Sequence, residues 1–165
     1  IQPASGDAGG ALGAAFALNH IVKKCKRELY SQNSMGGAYL GPSYKKDEIS
    51  DSLNSLGACY EQLSEEDVLK TTVEAIIDGK AIGWMQGRME FGPRALGNRS
   101  IIADPRSPEI QRQLNLKVKF RESFRPFAPS VLIEDVSEWF ELNQESPYML
   151  IVADVKNEKR IQMSK

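Results

Sequence analysis

The stretch AIGWMQGRMEFGPRALGNRSIIAD, residues 81–104, decides how this chain is read. Its ends, AIGWMQ (81–86) and SIIAD (100–104), are short apolar runs that read as buried strands. Between them lie Gly87, Gly92 and Gly97, with Pro93 stiffening the middle. Glycines let backbone N–H groups turn inward and approach a ligand closely. Arg88, Arg94, Arg99 and, just beyond, Arg106 offer planar forks that match phosphate or carboxylate oxygens two at a time. The segment PRALGN (93–98) predicts one helical turn, whose N-terminus adds a weak positive pole. Glu90 is expected to orient an arginine by an ion pair, or to meet a metal that accompanies a polyphosphate. The spacing is neither G-x-G-x-x-G nor a Walker A loop, so those nucleotide folds are not indicated.

A second cationic stretch follows, NLKVKFRESFRPFAPS (115–130). Lys117, Lys119 and Arg121 alternate, and in a strand they share one face. Arg125 precedes Pro126, which biases it to extended backbone, and Ser130 is a candidate hydrogen-bond donor. Phe120, Phe124 and Phe127 interleave with the charges and either stack a base or anchor the strand. From Lys80 to Ser130 there are ten Lys/Arg against four Asp/Glu, in a chain of net charge −1. A basic centre between acidic flanks points to an anion held in one place. A nucleic-acid protein more often carries basic charge over the whole domain. Any single loop arginine is most often solvated or paired on the surface. The local scarcity of acids is what favours an anion site for the two clusters together. His20, Trp84 and Trp139 read as structural.

Outward from these motifs, helices and strands intermingle. A glycine-rich loop opens into a helix within residues 6–28, whose last turn is basic. Residues 45–57 predict a short helix ending at Gly57. Residues 64–80 predict a stronger one, N-capped by Ser64 and stopped at Gly79. Ser107 and Pro108 start a helix over 108–118, and 135–142 is a short helix. Residues 127–133 and 148–155 predict a third and a fourth strand. The expected class is α/β (α+β), a twisted mixed sheet flanked by helices. Cys25 and Cys59 make no disulfide framework or metal site and read as small buried residues of a reducing, cytoplasmic protein. No apolar run approaches the roughly 20 residues that span a membrane. The chain opens on Ile1 rather than Met and reads as a fragment of a longer one.

At GRMEFGPRALGNRSIIADPR (87–106) and VKFRESFRPFAPSVL (118–132) the sequence resembles the nodulation-type and antibiotic-type O-carbamoyltransferases. The resemblance implies two domains, an ASKHA-type one followed by a YrdC-like one. QPASGDAGGALGAAFA (2–17) resembles the last nucleotide-proximal loop and helix of the first. The implied division is 1–28 as the close of the ASKHA-type domain, 29–60 as linker, and 61–165 as a YrdC-like domain truncated at its C-terminal end. It implies formation of carbamoyl-adenylate from carbamoyl phosphate and ATP with Mg²⁺, then transfer to a hydroxyl acceptor such as a sugar (class EC 2.1.3.-). VKFR resembles the K-x-R element of YrdC-like domains, so Lys119 and Arg121, with Arg94, are the expected catalytic groups. Arg88, Glu90, Gly92, Arg99, Arg125 and Ser130 are the expected substrate and nucleotide contacts. No metal ligands are expected here; iron or another metal belongs to the first domain. The remainder of the same polypeptide is the expected partner, a membrane is not, and the isolated fragment is expected to be inactive. The alternatives are an RNA-binding YrdC-like module and a non-catalytic nucleotide-binding domain.

Overall fold

A computed structural model describes residues 4–28 and 35–161. The first three residues, 29–34 of the expected linker and the last four residues lie outside the described residues. The elements are α1 (Asp7–Phe16), α2 (Lys46–Ser55), α3 (Glu65–Ile77), β1 (Ile82–Met85), β2 (Arg99–Ile102), α4 (Ile110–Gln113) and α5 (Val136–Trp139). The chain divides into two compact units. One comprises Ile1–Ala38, Gly92–Arg94 and Ala128–Lys165; the other comprises Tyr39–Phe91 and Ala95–Phe127. Helices with a two-stranded antiparallel sheet make the class α+β, as expected. No described helix is long and apolar enough to cross a membrane.

In the second unit, local sequence dictates the helix ends. The Lys45 N–H donates to Glu48 Oε2 at the start of α2, and Ser64 Oγ accepts from the Asp67 N–H at the start of α3. Both helices end as their glycines predict. Gly57 and Gly79 have φ of +64° and +77°. The N–H groups of Gly57 and Ala58 return to Asn54 and Leu53, and those of Gly79 and Lys80 to Ile76 and Ala75. This is the Schellman pattern, which a residue with a Cβ adopts only at a cost.

β1 and β2 pair antiparallel in the register Ile82↔Ile102 and Met85↔Arg99, with the glycine- and arginine-rich loop between them. The strands sit where the apolar runs predict. PRALGN is not helical; residues 93–98 bend without a helical ladder. The reason is competition: the Leu96, Asn98 and Arg99 amides donate to a side chain instead.

α4 widens into a π-helical turn over Leu114–Val118, so the helix expected over 108–118 is present. Lys117 lies inside it and Lys119 caps it, so Lys117, Lys119 and Arg121, which share a face only in a strand, do not line one sheet face. Ile110 and Leu114, one turn apart, are the buried apolar residues of this helix, and helical packing of that pair defeats alternation.

In the first unit, helix begins at Asp7, earlier than the glycines suggest, and α1 continues as a π-helical turn over Ala17–Val22. Lys23, Lys24, Lys26 and Arg27 fall at or beyond its end rather than inside its last turn, because Lys24 turns left-handed at φ 54°. Neither 127–133 nor 148–155 is a strand. Pro126 and Pro129 have no N–H to give to a ladder, and Val152 is fully exposed. Only Val155 pairs, in a single bridge to Phe140 beside which Glu141 N–H reaches Asp154 and Lys156 N–H reaches Trp139. Cys25 and Cys59 are exposed, not buried: Cys25 follows the turn at Lys24, and Cys59 lies in the irregular run after α2. Trp139 is also largely open, with the Lys159 ammonium 4.6 Å above its ring.

Candidate functional site

The loop between β1 and β2 is organised by one carboxylate. Glu90 is 6% exposed, and its Oε1 accepts the N–H groups of Leu96 at 2.8 Å, Asn98 at 2.8 Å and Arg99 at 3.1 Å. Burial by itself pushes this carboxyl up. The amides of Leu96, Asn98 and Arg99, with its own N–H, outweigh burial and hold it below the usual carboxylate range. Glu90 thus stays charged to balance three backbone dipoles. It was expected to orient an arginine or meet a metal, and its partners are backbone amides instead.

The arginines nearby are used in the same way. Arg99 donates from Nη1 to the carbonyls of Gln86 and Asn98, and from Nη2 to Gly87. Arg88 donates from Nε to Tyr39 and from Nη2 to Leu40. Asn98, also buried, donates to the Arg88 carbonyl at 2.8 Å. The Tyr39 hydroxyl donates to Leu96. Residues 41–42 run beside Met89, where a Cβ on Gly41 would lie 2.8 Å from the Met89 oxygen, so only glycine fits. Sequence reading assigned 39–42 to a linker and had no signal for this role beyond Tyr39 itself.

Gly92 and Arg94 belong to the first unit. Gly92 has φ +107°, and a Cβ there would come within 2.7 Å of the Ala4 methyl carbon. The glycine permits a close backbone approach, here to the chain itself. Arg94 is exposed and has no described partner. Ser130, also in the first unit, is exposed.

The second cationic loop has its own organiser, which sequence reading missed. Asn115 is fully buried. Its Nδ2 donates to the carbonyls of Ser123 at 3.1 Å and Arg125 at 2.8 Å, and its Oδ1 accepts from Arg121 Nε at 2.6 Å. Gln111 Nε2 donates to the Arg125 carbonyl as well. The Arg121 guanidinium lies 5.0 Å from the centre of the Phe127 ring. Lys119 closes the helix through its N–H to Leu114; its side chain is exposed without a described partner. Arg125 pairs with Glu122 at 2.9 Å. The available signal was an Asn next to the apolar pair Ile110 and Leu114: Asn is a poor interior helix residue unless its amide is used.

Two features of the charge follow. Arg106 and Arg125 are neutralised by Asp104 and Glu122, both close in sequence. The Arg106 side chain, then its backbone N–H, holds the Asp104 carboxyl down at about 2. By contrast, no described carboxylate lies within ion-pair distance of Arg88, Arg94, Arg99, Lys117, Lys119 or Arg121. Their hydrogen bonds, where present, go to neutral carbonyls and amides, which hold the groups without cancelling their charge. No hydrogen bond or ion pair joins the two loops among the described residues. Nor does any described group of three His, Cys, Asp or Glu form a metal cage. With Oε1 of Glu90 taken up by amides, the described residues do not fit a protein-held Mg²⁺.

The comparisons agree with one another. Residues 73–165 match the family model described as carbamoyltransferase C-terminus. An uncharacterized protein of Synechocystis is 52% identical over 99% of this chain and 27% of its own length. Nodulation protein NolNO of Sinorhizobium fredii is 46% identical over 97% of this chain and 24% of its own length. The 3'-hydroxymethylcephem-O-carbamoyltransferase of Streptomyces clavuligerus is 42% identical over 53% of this chain and 16% of its own length. The chain spans about a quarter of the length of the first two relatives.

Proposed function

The chain belongs to the carbamoyltransferase C-terminus family, and from that premise we propose that it supplies the anion-binding part of an ATP-dependent O-carbamoyltransferase. In this reading residues 61–165 bind carbamoyl phosphate and ATP and form carbamoyl-adenylate. Residues 1–28 close an ASKHA-type domain in which a hydroxyl acceptor, such as a sugar, receives the carbamoyl group, and 29–60 connect the two. The protein works in the cytoplasm, where both phosphorylated substrates are made.

One observation carries the reading: Arg88, Arg99 and Arg121 are held by carbonyls and an amide, with no described carboxylate within ion-pair distance. Carbamoyl phosphate and a triphosphate repel one another, and fixed cations are what offsets that repulsion. For the atoms to balance, water takes the phosphoryl group of carbamoyl phosphate, leaving carbamate and inorganic phosphate. A carbamate oxygen then attacks the α-phosphorus of ATP and pyrophosphate leaves. No protein nucleophile is required. Lys119 and Arg121 neutralise the carbamate and α-phosphate oxygens. Arg88 and Arg99 act mainly as backbone clamps that also keep the loop electropositive. Any Mg²⁺ is carried by the phosphates.

The test is carbamoyl-phosphate-dependent ATP–pyrophosphate exchange by a full-length protein carrying this chain. Lys119→Ala or Arg121→Ala should each lower exchange more than roughly 100-fold if each supplies about 3 kcal/mol of transition-state stabilisation. Exchange at the native rate removes these residues from the reaction. ATP binding without exchange would mark a nucleotide-binding domain that does no chemistry. A second reading has one observation in its favour: Phe120 and Phe124 are 85% and 78% exposed beside cations, as in single-strand RNA binders. Steeply salt-dependent RNA binding with no ATP binding would select it.

A further inference from the structure

We propose that Asn115 is a positioning residue for the reaction, acting through Arg121 and not on substrate; this rests on the role given to Arg121 above. Three of the hydrogen bonds of this fully buried side chain converge on residues 121–125, and one of them fixes the guanidinium itself. The Asn115 carbonyl adds a fourth, accepting the Arg121 N–H at 3.0 Å. One residue therefore binds Arg121 at both its backbone and its side chain. Phe120, between Lys119 and Arg121, is left-handed at φ 47°, so the helix is forced to stop there and the chain doubles back under Asn115. A bulky residue takes that conformation only where its surroundings over-determine it.

What is left of Arg121 points to its use. With Nε bonded to Asn115 and the guanidinium close to Phe127, both terminal NH₂ groups have no described partner. Those two nitrogens form the outer fork that grips a phosphate or carboxylate. A guanidinium held from behind by Nε loses little rotamer freedom when an anion arrives. Asn115, Lys119 and Arg121 lie at one helix end, and the buried amide fixes Arg121 among them. Gln111, one turn earlier, braces the same Arg125 carbonyl and takes no part in holding the guanidinium.

The experiment is a double-mutant cycle on exchange activity in the full-length protein, with Asn115→Ala, Arg121→Ala and the pair. Asn115→Ala alone should lower kcat/KM by about 10- to 100-fold, the scale of a misplaced contact, with KM for carbamoyl phosphate raised. In the Arg121→Ala background the same substitution should change exchange less than about 3-fold, since its route is gone. Equal losses in both backgrounds would reduce Asn115 to a purely structural residue and overturn the proposal. If Arg121→Ala leaves exchange intact, it is the functional reading that fails. Asn115→Asp guards against a variant that does not fold: it keeps an oxygen for Arg121 Nε while removing the amide donors, and should retain more activity than Asn115→Ala. A measurement on the native protein decides even if neither variant folds. The Arg121 Nε–H should exchange with solvent at least about 10-fold more slowly than that of Arg94, which has no described partner. Equal exchange at the two sites would overturn the proposal.

Discussion

Residues 18–25, LNHIVKKC, and 114–121, LNLKVKFR, share the pattern L-N-x-x-V-K and the same backbone. Each is a π-helical turn. In each, the lysine N–H returns five residues, to Leu18 or Leu114, and the N–H two residues later returns six, to Asn19 or Asn115. In each, the residue between is left-handed, Lys24 at φ 54° and Phe120 at φ 47°. Yet Asn19 is exposed, while Asn115 is fully buried and hydrogen-bonded on both sides of its amide. Local sequence writes the helix end; the chain that folds back over it decides whether its Asn has anything to hold. After 121 the chain returns through Ser123 and Arg125 to meet Asn115. At the end of the first segment the His20 ring bonds to the Cys25 carbonyl.

The sharpest way to break the comparison is to substitute its last residues. Arg121→Ala should cost more than roughly 100-fold in exchange, whereas Cys25→Ala, at the matching place, should leave exchange unchanged. Next come the two asparagines. Asn115→Ala removes a donor from the Ser123 and Arg125 carbonyls and the acceptor of Arg121 Nε, and should cost about 1–3 kcal/mol in urea unfolding; Asn19→Ala should stay within about 0.5 kcal/mol. Equal effects would mean the shared helix end, not the overlying loop, gives Asn115 its weight.

Glu90 extends the comparison to the first loop, where the organiser is a charge. Glu90→Gln keeps an acceptor but loses its charge, and should destabilise by about 1–2 kcal/mol near neutral pH. The folded carboxyl lies below its ordinary value of 4.5. Its contribution is therefore present above the unfolded value and lost as pH falls through the folded one. The gap between native and Glu90→Gln urea midpoints should narrow over that acid range; a constant gap would rule out the charge as its source. The smallest effect belongs to Asp104 and Arg106, a pair that needs no tertiary setting. Arg106→Ala should return the Asp104 carboxyl from about 2 towards its ordinary 3.8 in an NMR titration, with exchange unaffected.

The same division runs through the rest of the chain. Strands β1 and β2, the Ser64 cap and the glycine stops at Gly57 and Gly79 were legible because each is settled by a few neighbouring residues. The family was legible from two motifs for the same reason. The expected strands at 127–133 and 148–155 failed because apolar composition says nothing about whether a partner strand lies alongside. The helical turn at 93–98 failed because its amides had a better acceptor in Glu90.

By itself the sequence determined where helices start and stop and how many cations the two loops carry. Only the tertiary structure decided which of those cations are anchored by carbonyls and which are open, and that Glu90 and Asn115 are the anchors. The physical reason is range. Capping bonds and left-handed stops are closed within about one helical turn, whereas a buried acceptor collects whatever amides and carbonyls distant folding brings within hydrogen-bond reach.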